Sequence, residues 1–278
     1  MARRGLLAAA LCVTAACDVG RGFIRIDGSP GVAPLIEALA REHMMLTTDS
    51  VALGAGLGSR ARLDAVQQGS IDIAMASHGV DSSDLRERGL VAHEVARTAV
   101  VFAVNASVPV TSLSREQLCD IYSGRKPAWQ LFGAPAGAIA PFMRPANEVD
   151  AEVALEGIAC LRGLKYGGYV SIRERADEMA QAIATTTGAI GLTSMTYVQQ
   201  SGVGVGGVGR MRALALDGVA PTSENVATGS YPLTRRAMLV TKASPSRTVR
   251  SFLMFVRSGD GAHVIRANGA APAPNERR

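Results

Sequence analysis

Residues 24–39, with the sequence IRIDGSPGVAPLIEAL, decide the fold. The stretch reads as a β-branched strand, a turn of Gly, Ser and Pro, and an amphipathic helix. The first backbone N–H groups of a helix have no partner within it, and the helix dipole makes that end positive. The unit therefore predicts an anion seat at Ser29, Gly31 and Val32. Taken alone, it also fits a plain strand-to-helix connection.

The same pattern recurs further along the chain. Residues 49–53 form a short strand, a Gly-rich turn ends at Gly58 and Ser59, and residues 60–68 have helical spacing. A third apolar strand then runs into Ser77 and His78. Since ligands bind at the carboxyl ends of strands in open α/β sheets, we expect the three serine hydroxyls to converge. A dinucleotide site is excluded, because the third glycine and the following acid are missing.

The length and composition predict a globular α/β protein of two lobes. The chain has 278 residues, of which 47% are hydrophobic and 19% charged. Apolar strands near 99–104 and 236–241 separate an outer region, built from both ends of the chain, from a middle one. Aromatic residues make up only 4%, and the basic residues behind the net charge of +5 are scattered. Nucleic acid is therefore not an expected partner.

The first residues predict export. Residues 1–16 combine a basic head, an apolar run and small residues, which is typical of a signal peptide. Cleavage there would leave Cys17 first, so lipidation of Cys17 competes with ordinary cleavage nearby. We expect a periplasmic or other extracytoplasmic location, either free or anchored by lipid. Cys119 and Cys160 could pair in such a compartment, although free buried thiols are favoured. The four histidines are isolated from one another, which argues against a metal site.

Several segments resemble the periplasmic phosphate-binding proteins of ABC transporters, over almost the whole mature chain. They are residues 28–35, 69–77, 113–129, 188–191, 213–221 and 231–235, and the final helix. The resemblance implies an α/β, two-lobed periplasmic-binding-protein fold of type II, with two crossover strands between the lobes. Lobe I is expected from 23–100 plus 231–269 and lobe II from 101–230, with a flexible tail at 270–278.

The segment that corresponds to the family's third anion loop departs from the pattern. Arg144 matches the family's arginine, but Glu148 and Asp150 stand where the family has Ser and Thr. Arg144 either binds the oxyanion or pairs with one of these acids. Asp150 could accept the proton of a monohydrogen oxyanion, and both acids could instead cap the helix that follows. Either the loop turns its acids away, or the ligand is not phosphate.

The resemblance implies a solute-binding protein that carries phosphate or a similar small oxyanion to an ABC transporter permease. We expect a monomer that has no cofactor and performs no chemistry on its ligand. The alternative is a binding or signalling module of the same fold, whose anion site has decayed and which recognises another ligand or a partner protein. A serine hydrolase is disfavoured, because the sequence has no Gly-x-Ser-x-Gly elbow.

Overall fold

The computed structural model of the protein describes residues 22–77, 80–135, 137–164, 166, 168–201 and 211–274. Within these ranges the strands are β1 (Phe23–Gly28), β2 (Ser50–Leu53), β3 (Ile73–Ala76), β4 (Leu90–Asn105), β5 (Ser112–Leu113), β6 (Ala140–Met143), β7 (Ser171–Ile172), β8 (Ala189–Ser194), β9 (Met211–Ala213), β10 (Ala215–Leu216), β11 (Thr234–Lys242) and β12 (Ala270–Pro272).

The α-helices of the same ranges are α1 (Ala33–Leu46), α2 (Ser59–Gln68), α3 (Ser82–Glu87), α4 (Arg115–Tyr122), α5 (Val149–Gly157), α6 (Ala176–Thr185), α7 (Met195–Gln200), α8 (Ser223–Thr228), α9 (Arg247–Val256) and α10 (Gly259–Ala267). Their bounds follow local sequence signals. Ser114 and Gln117 form a capping box at the start of α4, in which each side chain accepts a hydrogen bond from the other residue's backbone N–H. Ser246 caps α9, which buries Val249 and Phe252 on one face.

Ten of these strands build two sheet regions that share β4, and β5 and β10 pair in a separate two-stranded sheet. The order is β2-β1-β3-β11-β4-β8-β6-β7, and β9 and β12 also pair with β4. Strands β2, β1 and β3 are parallel, whereas β11 is antiparallel to both of its neighbours. Helices α1 and α9 pack on the first region, and α4 and α6 contribute to the core of the second. The two lobes with parallel strands and covering helices confirm the predicted fold class.

Strand β4 crosses from one lobe to the other. Its residues 90–99 pair with β11, and its residues 100–105 pair with β8 and β9. The returning chain enters lobe I beside it, where the N–H of Val100 donates to the carbonyl of Leu233 at 2.8 Å. The two connections between the lobes therefore lie side by side. The edge where β1 and β3 end faces this junction.

The first residues of the predicted flexible tail form a strand instead. Ala270–Pro272 form β12, which pairs antiparallel with residues 96–98 of β4, and Ala270 and Ala271 are buried. Gly269 adopts a positive φ of 72° that turns the chain back toward β4, and small alanine side chains fit against it. A flexible tail from residue 270 is thus wrong for its first three residues. Residues 275–278, the predicted signal peptide 1–16 and Cys17 lie outside the described residues.

The structure pairs Cys119 of α4 with Cys160, which follows α5 in the chain. Their Cα atoms are 6.0 Å apart, a separation that suits a disulfide. The expectation of two free thiols is wrong, because the packing of α4 against the short helical turn Ala159–Leu161 brings together cysteines 41 residues apart in sequence. The bond ties two elements of lobe II to each other.

Candidate functional site

Two serine hydroxyls meet where neighbouring parallel strands end. Ser29 follows β1 and Ser77 follows β3, and their Oγ atoms lie 2.8 Å apart, both side chains being buried. The Ser29 N–H donates to the Met75 carbonyl at 3.0 Å. Gly28 permits this approach, because its φ is +135° and a Cβ there would collide with the Met75 backbone. The structure therefore brings Ser29 and Ser77 together as predicted from the strand ends.

The carboxylate of Asp27 shapes the loop after β2. Its Oδ1 accepts hydrogen bonds from the N–H groups of Gly56 and Leu57 at 3.0 and 2.9 Å. Gly54 lies so close that a Cβ there would meet the same carboxylate. Two loop donors are therefore occupied within the protein. The donors left for an anion are those of the first turn of α2, which follows Gly58 and has no side-chain cap.

Arg235 joins the first loop, which is residues 29–32 between β1 and α1, to lobe II. Arg235 is the second residue of β11, and its Nη1 lies 2.9 Å from Oδ1 of Asp150, without the alignment of a hydrogen bond. Its Nη2 donates to the carbonyl of Gly31. Both charged side chains are about 95% buried. A Cβ at Gly31 would collide with the guanidinium, so a larger residue there would force Arg235 to shift. The predicted site residues Gly31 and Asp150 are thus linked through an arginine that the sequence analysis did not select.

Arg144 is engaged by the chain itself. Its Nη2 lies 2.9 Å from Oε2 of Glu148, and its Nη1 donates to the carbonyl of Arg173 at 2.8 Å. The Arg144 side chain is buried, and its Nε has no hydrogen-bond partner. The expected helix cap is wrong: Glu148 occupies the cap position of α5, but its side chain reaches the guanidinium and accepts no N–H of the first turn. Asp150, two residues on, likewise faces Arg235.

Two side chains of α7 hold the first loop from the other lobe. The Tyr197 hydroxyl donates to the Pro30 carbonyl at 3.2 Å, and Nε2 of Gln200 donates to the Pro34 carbonyl at 2.8 Å. Burial, reinforced by the charge of Asp177, raises the pKa of Tyr197 to about 12. The phenol therefore stays protonated and able to donate over the whole physiological range. Together with Arg235, these contacts fix the loop between the lobes.

The helices that begin at this junction share one feature. Val32 is buried at the start of α1, and its side chain caps no N–H group. The residues that precede α2, α5 and α7 likewise make no side-chain cap. Side chains do cap α3, α4, α8, α9 and α10. Helix α6 is also uncapped. Several positive helix ends at the junction therefore keep backbone donors free of side-chain caps.

The predicted site residues are placed as follows. Ser29, Gly31, Val32, Gly58, Ser77 and Asp150 lie at the strand ends and helix starts just described, and Arg144 lies at the start of the α5 loop. His78 and the side chain of Ser59 are outside the described residues, although the backbone of Ser59 begins α2. Sequence reasoning missed Asp27, Arg235 and Tyr197. The available signal for Asp27 was an acid just before a Gly turn. Arg235 and Tyr197 contact Gly31 and Pro30 across 204 and 167 residues of chain, so no local pattern indicates them.

Neither a metal site nor a membrane span is found in the described part of the chain. Among its residues, no three His, Cys, Asp or Glu side chains come close enough to share an ion. None of its helices combines the length and apolar character needed to cross a bilayer.

Comparison with known proteins places the chain in a family. A model of the PBP superfamily domain matches residues 14–260. The chain is 29% identical over 249 residues to the phosphate-binding protein PstS of Bacillus subtilis, covering 86% of this chain and 76% of the relative. It is structurally similar to an ABC-type phosphate transport receptor from Vibrio cholerae, with a TM-score of 0.58, 25% identity and coverage of 89% and 99% of the two chains.

A second structural neighbour is a protein from Clostridium perfringens described as a phosphate ABC transporter substrate-binding protein, with phosphate bound. The TM-score is 0.71 at 24% identity, covering 91% of this chain and all of the neighbour. The protein therefore belongs to the PBP superfamily, the superfamily of the periplasmic binding proteins.

Proposed function

We propose that the protein is the solute-binding component of an ABC transporter and binds phosphate or a related small oxyanion between its lobes. The observation that carries the proposal is the buried pair of hydroxyls of Ser29 and Ser77, set at parallel strand ends beside uncapped helix starts. Hydroxyls and free backbone N–H groups are the donors that an oxyanion needs. The names of the B. subtilis and V. cholerae relatives support phosphate as the ligand.

Residues of both lobes contribute to the proposed binding site. Ser29 and Ser77 offer hydroxyls from lobe I, and the first turn of α2 offers backbone donors. At the start of α1, Pro34 has no N–H, and the N–H groups of Val32 and Leu35 donate to the carbonyls of Ser29 and Val32. Arg235 and Tyr197 hold the first loop against lobe II, so the loop is fixed where the lobes meet. A ligand seated there would be enclosed by hinge-type closure of the lobes. Binding and release suffice for this role, and we propose no reaction on the ligand.

The acids of the third loop set this site apart from a plain phosphate receptor. Glu148 and Asp150 face Arg144 and Arg235 and neutralise their charges. An incoming anion therefore either displaces a carboxylate from its arginine or binds beside it. Like charges a few ångströms apart repel, which lowers affinity for a dianion at neutral pH. Phosphate binding should accordingly be weak at neutral pH and tighter in acid.

The same ion pairs favour a second candidate function. If the carboxylates permanently occupy the place of the anion, the protein is a binding or signalling module of the same fold whose anion site has decayed. Such a module would recognise an organic ligand or a partner protein. This alternative makes the opposite prediction for calorimetry, because no simple oxyanion would bind.

An extracytoplasmic location and a permease partner complete the proposal. The disulfide between Cys119 and Cys160 suits an oxidising compartment, as does the export signal predicted in residues 1–16. Cys17 is the proposed point of lipid attachment. Cell fractionation with and without Cys17→Ser tests both points: the wild type should leave the cytoplasm, and the variant should leave the membrane fraction while remaining folded.

Isothermal calorimetry on protein that has been unfolded, dialysed free of anions and refolded with its disulfide intact tests the ligand. We expect one phosphate per chain and tighter binding at pH 5.5 than at pH 8. Native mass spectrometry of protein purified without added phosphate identifies any ligand retained from the cell. Absence of binding with phosphate, sulfate and arsenate at both pH values would reject the transport role in favour of the decayed-site alternative.

A further inference from the structure

One buried guanidinium has no counter-charge among the residues that the structure describes. Arg62 is the fourth residue of α2, and only 6% of its surface is exposed. Its Nε has no hydrogen-bond partner, and its side chain makes no hydrogen bond or ion pair with any residue that the structure describes. Arg144 and Arg235 are equally buried, but each of them faces a carboxylate. Arg62 therefore differs from the other two in having no carboxylate partner among the described residues.

The position of Arg62 in the helix directs it to the candidate site. One turn further along α2, Val66 is fully buried and packs with Ala76 of β3 and Met238 of β11. Arg62 occupies the same face, one turn nearer the start of α2. Helical side chains lean toward the N-terminus of their helix, so we expect the guanidinium to extend toward the carboxyl end of β3. The buried hydroxyl of Ser77 follows that strand end directly.

Charge gives this placement its meaning. Burial lowers the pKa of Arg62, since the charged form loses its water shell there, but an arginine remains protonated at neutral pH. A buried positive charge without a partner destabilises the folded chain, and it persists where something else compensates it. Glu148 and Asp150 balance Arg144 and Arg235. Among these five side chains, Arg62 therefore leaves one positive charge in excess.

We propose that Arg62 supplies the positive charge that holds the oxyanion, acting together with the hydroxyls of Ser29 and Ser77. This inference rests on the proposed function and refines it, because it moves the counter-charge of the ligand from the third loop to the second helix. Arg144 then serves mainly to fix Glu148 and the start of α5. The helix that offers backbone N–H groups to the anion also offers it a guanidinium, which can donate two parallel hydrogen bonds.

Arg62→Met is the decisive variant, because methionine fills much of the volume without a charge. We expect its affinity for phosphate to fall at least tenfold in calorimetry. We also expect the midpoint of thermal unfolding of the ligand-free variant to rise, since an uncompensated buried charge has been removed. If Arg62 merely supported the fold, Arg62→Met would lower both the phosphate affinity and the unfolding midpoint. Arg60→Met, an exposed arginine on the first turn of the same helix, is the matched control and should change neither.

Arg62→Lys keeps the charge and should retain more phosphate affinity than Arg62→Met. The inference is overturned if wild type and Arg62→Met bind phosphate equally, or if Arg62→Met binds weakly but is also less stable without ligand. Failure of the proposed function has a different signature, in which the wild type itself binds no oxyanion. In that case the proposed role of Arg62 is rejected together with the proposed function.

Discussion

Replacing Asp150 by asparagine tests the link between the lobes. The substitution keeps the size of the side chain and removes the charge that faces Arg235. At the observed separation of 2.9 Å, the attraction between the two charges is about 6 kcal/mol at an effective dielectric of 20. Desolvation of both groups offsets much of this, and breaking a buried pair by removing one partner costs about 3–5 kcal/mol. We expect a loss of about 3 kcal/mol, the lower end of this range, since the carbonyl dipole of the amide can still face the guanidinium.

Chemical denaturation with and without phosphate measures both consequences of Asp150→Asn. The guanidinium of Arg235, once freed, should attract the anion, so phosphate affinity should rise by about tenfold, or about 1.4 kcal/mol. At a concentration 100 times the dissociation constant, ligand restores about 2.7 kcal/mol, nearly the whole loss. The variant should therefore be unstable when ligand-free and close to ligand-free wild type when saturated.

Asp177→Asn is the matched control for Asp150→Asn. Asp177 occupies the same second position of its helix, α6, and also pairs with an arginine, but both partners are more than half exposed. The two substitutions remove the same favourable interaction with a helix dipole, so their difference isolates the buried ion pair. If Asp150→Asn destabilises the protein no more than Asp177→Asn and leaves phosphate affinity unchanged, the argument for a linking ion pair is refuted.

Three further predictions concern single contacts. Glu148→Ser should free Arg144 and strengthen phosphate binding severalfold in calorimetry at pH 8, whereas unchanged affinity would mean that Glu148 points away from the ligand. Tyr197→Phe should weaken phosphate binding severalfold, with little change in the unfolding midpoint; equal affinity would show that its bond to the first loop does not aid closure. Arg25 holds the pKa of Asp72 below its usual value, so Asp72→Asn should lower the unfolding midpoint at pH 7 but not near pH 2. That stability is present above the unfolded-state pKa and is lost as pH falls through the folded-state pKa; a loss independent of pH would contradict it.

The local sequence predicts much of the fold because its signals act over few residues. The strand, turn and helix around Ser29 and the capping box at Ser114 are set by neighbours in the chain. The parallel strands then bring Ser29 to Ser77, which follows from the rule that strand ends share an edge. This part of the candidate site was therefore predictable.

The ion pairs of the site were not predictable in the same way. Arg235 reaches Gly31 across 204 residues of chain, and no local pattern distinguishes it from its neighbour Arg236, which is exposed. The choice between free cysteines and a disulfide likewise depends on how α4 packs, which spacing alone does not determine. Glu148 could cap α5 or bind Arg144, and only the buried guanidinium decides in favour of the second.

The unbroken course of β4 has a consequence for how the protein denatures. Eight consecutive residues, from Thr98 to Asn105, are buried, and they span the point where the strand leaves one sheet region and enters the other. Melting one lobe alone would cut this ladder in the middle and expose apolar side chains and unpaired backbone groups on the half that remained. Cooperativity should therefore extend over the whole chain. We expect a single calorimetric peak whose van't Hoff and calorimetric enthalpies agree, rather than one transition per lobe.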